Sequence, residues 1–304
     1  MGQTLARLQR KIAVAGDLQT VVQTMKVMSA SSIGQYEKSM QSLTEYFRIV
    51  ELGLGAYFRD NQVKLSSMLP AKIQKKTDKK KVGIIVFGSD QGLVGQFNEV
   101  ATEYAVKMNN KLPGGHKIWS VGERVHTQLI DASLQLEGTF SLPSSVRAIT
   151  PLIGEILLAI NTDDHKDYND DLYLIYNRRC SGTVYAPVCQ QLLPLNESWQ
   201  TKQQKHQWPT GNIPEVIGKE SSSLRILIRE YLFVSLFRAC TESLASENAS
   251  RLAAMQRADK NIAELLEDLN GSYYRLRQSE IDEELFDVIS GFEALTGDSP
   301  RTKI

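Results

Sequence analysis

No proline precedes Pro70, and through that long stretch apolar side chains recur at steps of three and four residues. Leu8, Ile12, Ala15, Leu18, Val22 and Met25 begin the series, and Ser29, Ser32, Tyr36, Met40, Leu43, Phe47, Val50, Leu54 and Tyr57 continue it. Such spacing places every member on one face of a helix. It predicts a single helix from about Gln3 to Phe58, roughly 80 Å long. The C-terminal part repeats the pattern: Leu252, Met255, Ile262, Leu266, Leu269, Tyr273 and Leu276 fall on the a and d places of a heptad, with Asp259 the one polar intruder. This second helix is predicted to start near Pro214, a favoured first-turn residue, and to run to about Gly291, roughly 110 Å. Two long end helices of matching character are expected to fold back on one another as an antiparallel coiled coil. Around Ser29, Ala30, Ser31 and Ser32 the first stripe turns small and polar, where a self-contained core would use Leu. Small residues let two backbones come close, or let another surface slide past.

Between the helices strands and helices alternate. Val82–Gly88 is a continuous apolar run, the mark of a strand buried on both faces. A helix from about Phe97 to Leu112 follows, then a strand over Lys117–Gly122, a helix over Glu123–Ala132, a short strand over Leu134–Phe140 and a helix from Val146 to Ile160. Asp171–Arg178 and Val184–Leu195 read as two more strands. The alternation predicts a small, mostly parallel sheet. The fold class is therefore α/β: a long antiparallel coiled coil of the N- and C-terminal helices plus a small Rossmann-like sheet domain. The expected division is 1–60 for the first helix, 61–81 for a linker, 82–213 for the α/β domain, 214–291 for the second helix and 292–304 for a tail.

Composition narrows the function. Lys+Arg and Asp+Glu are both 35, so the formal net charge is zero and nothing global favours a nucleic-acid partner. The lysines at 72, 75, 76, 79, 80 and 81 lack interleaved aromatics and read as a solvated linker. No apolar run approaches the roughly 20 residues of a membrane span, and Met1–Lys11 lacks the apolar stretch of a signal peptide. The protein is expected in the cytosol, with room to dock on a membrane complex. Cys180, Cys189 and Cys240 are odd in number and show no CxxC spacing, which argues against a disulfide framework or a zinc site.

The chain is also poor in reaction chemistry. The loop Gly88-Ser89-Asp90-Gln91-Gly92-Leu93-Val94-Gly95 lies where a dinucleotide-binding fold holds phosphate. Its spacing is not GxGxxG, however, and Asp90 would repel a phosphate. The alternative is a tight strand-to-helix turn in which Gly92 and Gly95 supply unusual backbone angles. Gly211…Gly218-Lys219-Glu220 fails as a P-loop: its glycines are too far apart, Pro214 interrupts it, and Glu220 stands where Ser or Thr would bind magnesium. The four histidines have no metal-ligand spacing, and there is no HExxH or GxSxG. Asp282, Glu283, Glu284 and Asp287 crowd one helix and read as a solvated face. No catalytic residue, cofactor or metal site is expected.

Three stretches carry a resemblance. Leu18-Gln19-Thr20-Val21-Val22-Gln23-Thr24-Met25-Lys26-Val27-Met28-Ser29-Ala30 resembles the N-terminal signature of the gamma subunit of F-type ATP synthases. Ser89-Asp90-Gln91-Gly92-Leu93-Val94-Gly95-Gln96-Phe97-Asn98 is similar to that family's SDxGLxGxFN element. In the second helix, Ser243 to Met255 resembles its SE…R…AM block, with Glu247 and Arg251, and Arg277-Gln278 with Ile281-Asp282-Glu283-Glu284-Leu285 resembles its RQ…IT.E[LI] block. The match covers nearly the whole chain, and the motifs stand in the family's order. Gln91 stands where many members carry Arg, and Asp282 where many carry Thr. With the loosened Thr20-Val21-Val22, these departures point to a divergent branch, of the kind of alternative ATPase that some prokaryotes carry. No cysteine-bearing insert of the chloroplast kind is evident, so no thiol switch is expected.

The resemblance implies a non-catalytic central-stalk rotor. Its partners would be three alpha and three beta subunits, the epsilon subunit and the membrane c-ring, with membrane contact only through the complex, on the cytoplasmic side of a prokaryotic cell membrane. The subunit-contact residues it implies are Met25, Lys26, Glu247, Arg251, Arg277 and Gln278, with Gly92, Gly95 and Asn98 shaping the loop. The tip from about Ile289 to Ile304 would sit in the hexamer's sleeve. Read without the resemblance, Met25 fills the coiled-coil seam and Arg277 is a solvated charge. Two rivals are a Rossmann-like nucleotide-binding enzyme with a helical dimerisation arm, and a coiled-coil adaptor with no rotary role.

Overall fold

The computed structural model describes residues 2–60, 81–112, 114–161, 171–181, 184–195 and 220–296, with 208, 210 and 212 before the last stretch. The elements are α1 (Gly2–Asp60), β1 (Lys81–Phe87), α2 (Phe97–Lys111), β2 (Gly115–Val121), α3 (Glu123–Asp131), β3 (Leu136–Phe140), a 3₁₀ turn (Val146–Ala148), α4 (Ile149–Asn161), β4 (Asp171–Ser181), β5 (Val184–Leu193) and α5 (Glu220–Thr296). The expected linker lysines before Lys81, the helix start near Pro214 and the tail beyond Thr296 lie outside the described residues. The second helix does not stop at Gly291 but continues to Thr296. A lone glycine costs a helix about 1 kcal/mol, which weakens it without ending it.

Two compact units make up the chain, residues 28–254 and residues 1–27 with 255–304. In the first, five strands lie in the order β3-β2-β1-β4-β5. The pairs β1–β2, β1–β4 and β2–β3 are parallel, and β5 runs antiparallel to β4. From Val82 to Phe87 strand β1 carries no polar side chain, as a strand with both faces covered requires. Val82, Ile84 and Val86 pack with Ala105 of α2 and with Val125 and Leu129 of α3. Ile85 and Phe87 join the larger core, to which α4 gives Ile149, Ile153 and Ile156, α1 gives Leu54, Tyr57 and Phe58, and α5 gives Ile228, Tyr231 and Leu236. Polar contacts tie α1 to the same body. Tyr46 donates to Glu230 Oε2 at 2.6 Å, Arg179 pairs with Glu37, and the rings of Phe47 and Tyr231 lie 6.2 Å apart.

The second unit is a helix pair. Gln9 Nε2 donates to Tyr273 Oη at 2.9 Å and Lys26 Nζ to Asp259 Oδ2 at 2.6 Å. Partner numbers fall as helix numbers rise, so the two segments run antiparallel. On α1 the inward positions step strictly by three and four: Leu5, Leu8, Ile12, Ala15, Gln19, Val22 and Lys26 are buried or half-buried. Facing them, Ile262, Leu266, Leu269, Tyr273 and Leu276 are half-buried. The stripe expected from the spacing is corrected at one place. Leu18 is 53% exposed, and Gln19 takes its position in the seam. The apolar residues of this helix occupy two adjacent faces, and a count of steps does not separate them.

Leu54 is fully buried. Leu54→Ala is therefore expected to cost about 2–5 kcal/mol, read from denaturant unfolding of the full chain. A loss below about 1 kcal/mol would mean that α1 does not seal the sheet face.

Candidate functional site

The loop that leaves β1 is built from its own residues upward. Ser89 is fully buried. Its backbone N–H donates to Asn98 Oδ1 at 2.9 Å, Asn98 Nδ2 donates to Ser89 Oγ at 2.8 Å, and Ser89 Oγ donates to the Gln91 carbonyl at 2.9 Å. Two glycines let the backbone in. A Cβ on Gly88 would lie 2.3 Å from Val125 Cβ, and one on Gly122, where φ is 115°, would lie 2.9 Å from the Ser89 carbonyl oxygen. Gly95 takes the left-handed backbone, φ 61°, as expected. Gly92 does not; the other left-handed residue of the loop is Leu93, φ 63°. Here the turn chemistry is carried one residue later, at a side chain that is 62% exposed.

Asp90 acts as a structural anion. Oδ1 accepts from the Glu123 N–H, the first of α3, at 2.9 Å, and Oδ2 accepts from Leu142 N–H at 3.0 Å. A helix N-terminus is a ready anion site, and at α3 the protein supplies its own carboxylate. On the other side of the loop, Asn177 Nδ2 donates to the Phe97 carbonyl at 2.8 Å, and the Phe97 ring stands edge-on to Tyr185 at 5.2 Å.

The sequence motifs of loop and second helix meet here. Ser250 of α5 donates to the Val94 carbonyl. Next to Ser250, and one turn before it, stand the partners of a buried ion pair, Arg251 Nη2 to Glu247 Oε1 at 2.6 Å. Burial pushes the Glu247 carboxyl above its ordinary 4.5; Arg251 pulls it down and the nearby charge of Asp90 adds to the rise. With its folded value raised, this carboxyl favours the fold below pH 4.5 and that contribution is lost as pH rises through the folded value. Tyr36 of α1 closes the cluster; its hydroxyl is shifted up by burial and by Glu247.

The remaining expected contact residues lie in the helix-pair unit. Met25 is half-buried and Lys26 is bonded to Asp259. That bond, with smaller help from Gln19 and Gln23, holds the Asp259 carboxyl below its ordinary 3.8. Arg277 and Gln278 are exposed. Beyond them Ile281, Leu285, Val288 and Phe292, spaced four, three and four, are 50%, 58%, 69% and 67% exposed. Sequence reasoning missed Asp90 as a cap and Ser250 and Tyr36 as partners, because their partners are remote in the chain. For Asp259 the signal was present: a charge on a heptad place needs an answering charge. Among the described residues, no helix is long and apolar enough to cross a membrane, and no group of three or more His, Cys, Asp or Glu is placed to hold a metal.

Breaking the buried pair by Arg251→Met alone is expected to cost about 3–5 kcal/mol, because Glu247 is left charged and unpaired. The double change Glu247→Leu with Arg251→Met should recover most of that loss in denaturant unfolding; an additive double variant would show that the pair is not coupled.

A family model described as ATP synthase matches residues 4–295. An ATP synthase gamma chain of Buchnera aphidicola is 25% identical over 96% of this chain and 98% of its own length. That of Syntrophus aciditrophicus is 26% identical over the same shares. Among solved structures, one of the Euglena gracilis mitochondrial ATP synthase comprising OSCP, F1 and c-ring is similar with a TM-score of 0.64 at 15% identity, covering 100% of both chains. A structure of the rotor of that enzyme gives 0.62 at 16% identity, over 92% of this chain and 100% of its own. The fold, the loop-to-helix contact and the match along almost all of the chain lead to one assignment: this protein is a member of the ATP synthase gamma-subunit family.

Proposed function

We propose that this chain is the non-catalytic shaft of a rotary ATP synthase, turning inside three alpha and three beta subunits and joined to an epsilon subunit and a membrane c-ring. Its place would be the cytoplasmic face of a prokaryotic membrane, held there by the complex. The observation that carries this reading is the apolar stripe of the last turns of α5, Ile281, Leu285, Val288 and Phe292. A run of exposed apolar side chains on one helix face marks a surface made to be covered. Gln278 lies one step before Ile281 on the same face, with Arg277 beside it, so a polar anchor precedes a greasy bearing.

The proposed coupling is differential binding. A shaft with unlike sides meets each surrounding subunit differently, and each contact shifts that subunit only by its unequal affinity for the open and closed states. Moving one site from about 1:99 to 99:1 takes about 5.5 kcal/mol, within reach of a few contacts. Met25, Lys26, Glu247, Arg251, Arg277 and Gln278 are the proposed residues, the buried Glu247 and Arg251 acting by fixing the helix beneath the surface. The nucleotide-enzyme alternative finds no support in the loop after β1, where Asp90, Asn98 and Ser250 already satisfy or supply the polar groups a phosphate would need.

Arg277→Ala should leave the helical signal and melting of the chain unchanged. In the assembled complex it should lower ATP turnover and ion pumping about tenfold, the worth of one charge-assisted hydrogen bond. Membrane vesicles in which both rates stayed normal would count against the proposal.

A further inference from the structure

Within the unit of residues 28–254, side chains of α1, β4 and α5 line a cavity of about 320 Å³, at the lower end of the range for small-molecule sites. Its polar groups are unevenly satisfied. Tyr36 lines the cavity and is only 8% exposed, yet its hydroxyl makes no hydrogen bond with any described residue. A buried tyrosine hydroxyl ordinarily finds a partner. Arg178 donates from Nε to Glu242 Oε2 at 2.6 Å and from Nη2 to Tyr176 Oη, while its Nη1 bonds to no described residue. Glu242 Oε1 also accepts from Arg238 Nε, at 2.8 Å. One carboxylate therefore answers two guanidiniums, and a positive charge is left over. The other ionic pair of the lining, Arg179 with Glu37, is matched one to one. Met40 and Ala245 add apolar surface.

We propose that this cavity binds a small monocarboxylate, whose carboxylate accepts from the Tyr36 hydroxyl and from Arg178 Nη1 and whose apolar body lies against Met40 and Ala245. The ligand is an anion because the surplus charge is positive, and because both carboxylates of the lining already hold arginines. A guanidinium edge matches a carboxylate in plane and spacing, and charge-assisted bonds are the stronger kind. Burial and the neighbouring charge of Glu247 shift the Tyr36 hydroxyl upward, so at neutral pH it keeps the proton it would donate. A bare inorganic anion would use the donors but leave the Met40 and Ala245 surface uncovered, forgoing the apolar share of the binding. A neutral ligand would leave the extra charge unanswered. The site shares no residue with the proposed subunit contacts, and the inference stands whether or not the chain turns as a shaft.

The test titrates the full chain with benzoate by isothermal calorimetry. Benzyl alcohol serves as the neutral analogue and inorganic phosphate as the anion without an apolar body. Benzoate should bind once per chain and raise the melting temperature in a saturable way. Benzyl alcohol and phosphate should each bind about tenfold more weakly or worse, the worth of a charge-assisted bond or of the apolar contact. Tyr36→Phe removes only the unpartnered hydroxyl, so the ligand-free chain should melt as before while benzoate binds about tenfold more weakly. Arg178→Lys keeps the charge and loses the fork, and should weaken benzoate to a similar degree with helicity unchanged. An absence of saturable heat at millimolar benzoate would overturn the proposal. So would phosphate binding as tightly as benzoate, or an affinity for benzoate that Tyr36→Phe leaves unchanged.

Discussion

The fold turns on the way the loop after β1 is closed by the protein itself. Polar backbone groups at the end of a parallel strand must find partners when buried. In many parallel sheets a bound phosphate serves that need. Here Asp90 takes the N–H groups of Glu123 and Leu142, Asn98 takes that of Ser89, and the C-terminal helix reaches in with Ser250 to the Val94 carbonyl. A sheet architecture suited to small-molecule binding is thereby turned into a mount. The loop and the C-terminal helix, distant in the sequence, are fixed to one body.

Charge is used in two ways along α5. Glu247 and Arg251 are a turn apart on the same helix, nearly buried, and pair with each other. They fix the local surface that the loop packs on. Asp259 pairs across to Lys26 at a partly wetted position, where the desolvation penalty is smaller. The first arrangement tolerates no loss of one partner.

Much of this was legible in the sequence. The heptads of α5, the apolar run of β1 and the alternation through the middle gave helix pair and sheet, because each is a local period that tertiary contacts reinforce. The motifs around Asn98, Glu247 and Arg251 pointed to a site, but not to why those residues belong together. That reason lies in contacts between residues far apart, such as Ser250 with Val94, which no periodicity encodes. The same limit explains Leu18 and Gln19: two apolar faces one residue apart give the same spacing signal. Gly92 misled for a different cause, since a glycine advertises freedom that the chain need not use, and Leu93 adopted the left-handed turn instead.

The hydrogen bonds among Ser89, Gln91 and Asn98 have a direction as well as a shape. The Gln91 carbonyl can only accept, so the serine hydroxyl must spend its proton there; the hydroxyl oxygen must then receive one from Asn98, whose other end receives from the Ser89 N–H. Every proton in the ring is assigned. An aspartate would match the asparagine in outline but bring a lone pair where a proton is required. The turn therefore reads chemistry at a level finer than volume, telling an amide from a carboxylate of the same size.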